Sequence, residues 1–225
     1  VFFLAAAWLV VNHADNRAYD YPLVRVKYRL LLGIIPFVAL AFALQLEYFL
    51  NLKADVITSC CGSLFSGDAK GLAAEVAALK PLPAMVLFYA TLAVATGLTF
   101  RHARTGRGGY AAAAASAAAF AATLIGVLSF VSLYIYEHPN HHCPFCILKP
   151  EYGHQGYWLY VPLFAATAAG LGVGALQPFR QVASLRAIVP AVSARLARVA
   201  AIGYLLVAAI ASWFVLHSNL ILIEH

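Results

Sequence analysis

Long apolar runs separated by short polar stretches set the plan of this chain. A helix crossing the hydrocarbon core of a bilayer needs roughly 20 mainly apolar residues. Runs at about 30–50, 82–100, 110–136, 158–177 and 198–217 meet that requirement. A further run, residues 1–11, is too short to cross alone. With no initiator Met before it, it reads as a longer span whose start is missing. The rival reading, a cleaved signal peptide, lacks a visible n-region and cleavage site. The expectation is an all-α polytopic transmembrane bundle of about six spans, the first incomplete, making one integral membrane domain over residues 1–225. Its four-helix core (30–50, 82–100, 110–136, 158–177) carries two polar loops, 51–81 and 137–157.

Composition strengthens this picture. With 63% hydrophobic and 11% charged residues and a mean hydropathy of +0.81, the chain lies far outside the range of soluble domains. Small residues recur within the spans, in the alanine-rich run 111–122 around Ser116 and at Gly170, Gly172 and Gly174. Such residues let membrane helices approach closely, so they read as packing and not as chemistry. Residues 67–79 have small apolar positions at helical spacing, with Asp68, Lys70 and Glu75 on the polar side, and suit a short interfacial helix. The glycine-rich stretch 104–109 joins two spans and lacks the strand-to-helix setting of a phosphate loop. Tyr48, Phe49, Tyr134, Tyr136, Tyr152, Tyr157, Trp158 and Tyr160 gather at one boundary, as aromatic belts do.

Charge supplies the orientation. The loop with Arg17, Arg25, Lys27 and Arg29, the loop with Arg101, Arg104 and Arg107, and the loop with Arg180, Arg186, Arg195 and Arg198 are all basic. They alternate with loops 51–81 and 137–157, where Asp55, Asp68, Glu75, Glu137 and Glu151 offset the lysines. Basic loops stay in the cytoplasm. The chain therefore reads as a multi-pass protein of a bacterial or archaeal cytoplasmic membrane, with the two mixed-charge loops outside. The net charge of +6 is accounted for by attraction to anionic lipid. A nucleic-acid partner would need a basic face on a soluble module, and none is present.

Both outer loops carry paired cysteines: Cys60-Cys61 in the first and Cys143-Pro144-Phe145-Cys146 in the second. Two cysteines three apart can bridge, and a helix beginning at Cys143 would stabilise its thiolate. Adjacent cysteines bridge only in a strained, easily reduced ring, so Cys60-Cys61 suits exchange better than reinforcement. Gly62 gives the backbone there freedom to move. A plain stabilising disulfide remains the bland alternative in an oxidising compartment.

Four spans with a cysteine pair in the first outer loop and CxxC before the fourth resemble the vitamin K epoxide reductase family of membrane thiol oxidoreductases. The disulfide-bond protein B family is similar in chemistry but places CxxC in the earlier loop. The resemblance implies that Cys60 and Cys61 shuttle electrons from a periplasmic thiol protein, that Cys143 accepts their attack, and that Cys146 faces a quinone. It departs from the family pattern in two ways. The shuttle cysteines are adjacent, and Lys149-Pro150-Glu151 separates CxxC from the next span. Glu47, near the outer end of the span leading to Cys60, is a candidate proton relay to that quinone, with snorkelling as its plain alternative.

Histidines open a second reading. His138, His141 and His142 precede Cys143 directly, and His154, His217 and His225 share the outer side. Mixed Cys and His ligands suit Zn²⁺, and thiolate-rich sets suit Cu(I) or an iron–sulfur cluster. Cys60, Cys61, Cys143, Cys146, His138, His141 and His142 are the candidate ligands. Alternatively a protonated His141 or His142 would favour the Cys143 thiolate. Haem is disfavoured, since no His falls mid-span and no CxxCH occurs. The remaining possibility is a non-catalytic subunit of a larger respiratory or biogenesis complex, with the cysteines bridged for stability.

Overall fold

In the computed structural model, residues 1–52 and 79–222 are described. They form six helices: α1 (Phe2–Asp15), α2 (Val24–Leu50), α3 (Pro81–Thr105), α4 (Gly109–Tyr136), α5 (Gln155–Leu176) and α6 (Ile188–His217). Helices α2 to α6 are long and apolar enough to cross a membrane. At about 1.5 Å per residue, the 14 residues of α1 fall short of the roughly 30 Å hydrocarbon core. Phe3 of α1 lies edge-on to Phe120 of α4, centroids 4.8 Å apart, and Phe2 to Phe164 of α5 at 5.4 Å. Since Phe120 and Phe164 sit within the spans, α1 reaches from the basic end to about the middle of the bundle.

Four of the helices close into a ring. α3 packs on α4 and α6, and α5 packs on the same two. This corrects the expected core: residues 188–217 take the place foreseen for 30–50. The reason is small-residue packing, which substitutes in lipid for a hydrophobic driving force. A methyl group on Gly170 would overlap the Ser116 side chain, so α4 and α5 nearly touch there. A methyl on Gly203 of α6 would lie 2.7 Å from Ala166 Cβ and 3.1 Å from the Pro162 carbonyl of α5. Around Gly33 of α2 there is open space. α2 buries Ile34 alone, and its main packing is on α1.

Hydrogen bonds identify the two ends of the bundle. Arg180 Nη1 donates to the Gly106 carbonyl at 2.7 Å, and His102 Nε2 lies 2.8 Å from Ser193 Oγ. Ala18 and Leu23 share an apolar cluster with Leu176, Leu185 and Val189. The three basic loops therefore lie at one end. At the other, the Glu137 carboxylate accepts from the Asn219 backbone N–H at 2.9 Å and from its side-chain amide at 3.0 Å. Near the basic end, buried Asp15 pairs with Lys27 at 2.8 Å and accepts the Leu23 N–H at 2.7 Å, tying α1 to the start of α2. The cysteine pair 60–61 and most of the proposed interfacial helix 67–79 lie outside the described residues, as does His225.

Gly203→Ala should lower the unfolding free energy by about 1–3 kcal/mol, the usual cost of overpacking a close contact. Gly33→Ala should change it by less than about 0.5 kcal/mol. Thermal unfolding of both variants in one detergent makes the comparison, and equal losses would refute the assignment of close packing to α5 and α6.

Candidate functional site

Of the sequence-predicted residues, the structure gathers Cys143 and Cys146 with His141 and His142 beneath one turn at the end away from the basic loops. Cys143 is wholly buried and Cys146 nearly so. Among the described residues these two sulfurs are not bridged to one another. Phe145 between them is 63% exposed, so the turn shows its aromatic ring outward and keeps its thiols in. The chain then makes a single 3₁₀ turn, Cys146–Leu148, and becomes extended at Lys149. No helix starts at Cys143, so the helix-terminus stabilisation foreseen for its thiolate is missing.

The turn is clamped through its backbone. Tyr136, at the end of α4, donates its hydroxyl to the Cys143 carbonyl. Tyr160, one turn into α5, donates to the next carbonyl, that of Pro144, at 2.7 Å. Two helices thus hold consecutive peptide units of the CPFC motif. Sequence reasoning placed both tyrosines in the aromatic belt. Their tie to the cysteines is a contact across 7 and 16 residues that no local pattern announces.

A third tie enters the membrane-spanning part itself. α4 widens into a π turn at Val127–Val131. Such turns open the backbone to side-chain partners and recur at functional sites. His142 Nδ1 lies 2.9 Å from the Leu128 carbonyl. A carbonyl only accepts, so Nδ1 carries the proton and Nε2 keeps its lone pair when the ring is neutral.

His141 packs its ring on Tyr136, centroids 4.1 Å apart, and Tyr136 packs in turn on Tyr152 at 4.5 Å. Burial, helped by the charges of His138, His142 and Lys149, lowers the His141 pKa from its ordinary value. The shift disfavours the protonated form of this ring, the cation envisaged beside Cys143. Its buried Nε2 has no hydrogen-bond partner among the described residues. His138 Nδ1 accepts from the Asn140 N–H at 3.2 Å, and His154 Nδ1 donates to the Leu148 carbonyl at 2.8 Å. His217 stacks on Trp213 at 3.5 Å. The histidines are thus dispersed over separate partners. Among the described residues no three His, Cys, Asp or Glu side chains come together as a metal site requires. Glu47 stands exposed on α2, away from the ring of helices, and is not brought to the CPFC turn.

Directly under the turn is a cleft of about 580 Å³ between α4 and α5. Leu124, Val127 and Leu128 form one wall, Tyr157, Val161 and Phe164 the other, and Pro144, Phe145 and Leu148 the roof. Its lining is wholly apolar. Tyr157 and Val161 are more than half exposed, so the cleft opens sideways toward lipid. The π turn supplies two of its wall residues, Val127 and Leu128.

Tyr136→Phe or Tyr160→Phe leaves a backbone carbonyl of the turn without its donor, at a local cost of about 1–3 kcal/mol. Alkylation of reduced Cys143, which requires local opening, should accelerate about ten-fold or more in each variant, read by mass spectrometry of maleimide-treated protein. Unchanged rates would mean that the hydroxyls do not hold the turn. No family model, curated protein or solved structure matches this chain, which leaves the residues and their geometry as the guide to its chemistry.

Proposed function

We propose that the protein is a membrane thiol–disulfide oxidoreductase that couples exchange at the CPFC end of the bundle to a quinone. By the charge rule that end faces outward from a bacterial or archaeal cytoplasmic membrane. One observation carries the reading: the turn that holds both cysteines is also the roof of an apolar cleft open to lipid. Its volume lies within the range of small-ligand sites, roughly 300–1,000 Å³, and a lipid-dissolved quinone has the flat apolar shape to enter it from the side. The clamped, buried thiols support a redox pair shielded from chance oxidants.

The steps balance as follows. A dithiol of a periplasmic protein reduces a disulfide involving the relay pair Cys60 and Cys61, and that protein leaves oxidised. A relay thiolate then attacks Cys143 Sγ of a Cys143–Cys146 disulfide. That S–S bond breaks and Cys146 departs as the thiolate. The second relay thiol resolves the mixed disulfide, leaving Cys143 and Cys146 as a dithiol. Two electrons and two protons then pass to the quinone, which leaves as quinol, and the Cys143–Cys146 bond re-forms. Within this scheme Tyr136, Tyr160 and His142 are positioning residues. They hold the two peptide units that flank Pro144, directly after Cys143, and the π turn beside the cleft.

Of Cys60→Ala and Cys61→Ala, the variant that removes the resolving thiol should accumulate a disulfide between Cys143 and the remaining relay cysteine, visible on non-reducing gels, because nothing is left to resolve it. Val161→Trp, which fills the cleft, should cut quinone-linked turnover by about ten-fold or more (about 1.4 kcal/mol per decade) while mixed disulfides still form. If neither relay variant traps a disulfide to Cys143 and Val161→Trp turns over like wild type, the proposal fails. Stoichiometric Zn, Cu or Fe in the purified protein, without quinone-linked turnover, would establish a four-thiolate metal site instead.

A further inference from the structure

At the basic end of the bundle, far from the CPFC turn, a second cleft of about 540 Å³ lies between α1 and α6. Its two halves differ in chemistry. Leu9, Val10, Val192 and Leu196 make an apolar wall, while Asn16, Arg17 and Arg195 stand among the residues of a polar rim. The wall is backed by α5: a methyl on Gly172 would press on Val10 and Leu196, at 3.0 and 3.3 Å. Leu9 is 59% exposed, and the lipid-facing side of α6 continues the apolar surface through Val199 and Ile202. A ligand seated here therefore meets apolar side chains running toward the membrane centre and cations at the membrane edge.

The rim cations are available. The ion pair formed among the described residues is Asp15–Lys27, and Lys27 also donates to Asn12 at 3.1 Å. No carboxylate belongs to the cleft lining. Arg17 and Arg195 are exposed and have no acidic partner among the described residues. Two guanidinium groups on one cleft, Arg17 just past the end of α1 and Arg195 on α6, offer forks that match phosphate oxygens. Basic pockets between membrane helices at the cytoplasmic boundary are where anionic headgroups are held.

We propose that this cleft binds an anionic phospholipid, with its phosphodiester between Arg17 and Arg195 and one acyl chain along Leu9 and Leu196. A soluble anion would use the rim alone and leave the apolar wall uncovered. A neutral lipid would cover the wall and leave the cations unpaired. The anionic lipid is the one ligand class that satisfies both halves. The site is independent of the quinone-linked reading, since it shares no residue with the CPFC cleft.

The test uses the full-length protein, delipidated in a neutral detergent and examined by native mass spectrometry. It is titrated separately with phosphatidylglycerol, phosphatidylcholine and glycerol phosphate. One phosphatidylglycerol should be retained, with phosphatidylcholine binding at least ten-fold weaker and glycerol phosphate not detected at the same concentration. Arg17→Gln combined with Arg195→Gln should weaken phosphatidylglycerol by about ten-fold or more, whereas Arg104→Gln, outside the cleft, should leave it unchanged. Both target arginines are exposed, so the double variant is expected to fold, and unchanged cysteine alkylation rates check that it has. Equal retention of the two lipids overturns the proposal, as does wild-type binding by the double variant. Glycerol phosphate bound as tightly as phosphatidylglycerol overturns the lipid assignment in favour of a free-anion site.

Discussion

The close approach of α4 and α5 at their basic halves governs the rest of this structure. Ser116 faces Gly170 and Ala113 faces Gly174, with no room for a further methyl group at either glycine. Tyr204 from α6 adds its hydroxyl to the same level, 3.4 Å from both the Ser116 carbonyl and Thr167 Oγ1. Three helices are therefore fixed at one depth by small side chains and a buried hydroxyl. Beyond that level the residues facing each other across α4 and α5 become large: Leu124, Val127 and Leu128 against Val161, Phe164 and Tyr157. These large side chains line the cleft between the two helices, and the π turn at Val127–Val131 supplies part of its wall. The cleft under the CPFC turn is the geometric consequence of packing tightly below and loosely above.

The two ends of the bundle are secured by different means, and the difference suits what each would have to do. At the basic end, polar groups bond deep in the protein: Asp15 to Lys27, His102 to Ser193, Arg180 to the Gly106 carbonyl. An Asp whose exposure is nil cannot lose its lysine without leaving a buried charge, a large penalty. That end is rigid by construction. At the opposite end the ties on the CPFC turn are hydroxyl and imidazole bonds to backbone carbonyls, each worth about 0.5–1.5 kcal/mol net. Such a loop can be held in place and still be released by a modest competing interaction.

How much of this could be read from the residues alone depended on whether the signal was local. The spans were legible because a bilayer imposes a length on apolar runs, and the structure places helices at all five. Their ends were less so: α6 begins at Ile188, ten residues before the apolar run used to find it, and carries Arg195 and Arg198 within the helix. Arginine stems cover apolar surface while their heads reach water, so the helix continues past the hydrocarbon boundary. The four-helix core differs from the expected one, with residues 188–217 in the ring in place of 30–50. What the structure shows instead is that α2 buries Ile34 alone and packs mainly on α1, outside the ring. Cys143 and Cys146 were found by spacing, whereas Tyr136, Tyr160 and the Leu128 carbonyl were not. An aromatic belt residue and a carbonyl clamp look the same in sequence.

Burial of Cys143 constrains how any thiol chemistry here can proceed. With no surface of its own, its sulfur is out of reach of a soluble protein's thiol while the turn is closed. Three clamp bonds, from Tyr136, Tyr160 and His142, at about 1 kcal/mol each would keep an open form below about 1% of the population. A folded partner would then meet a reactive sulfur only rarely. A relay that already resides in the membrane protein avoids that limit, because its local concentration replaces random encounter. Under the proposed mechanism the cysteine pair at 60–61, with Gly62 directly after it in sequence, would fill that role. The clamps then have a further consequence under the proposed mechanism. They would make exchange with the relay selective over exchange with bulk thiols, since only a tethered attacker is present each time the turn opens.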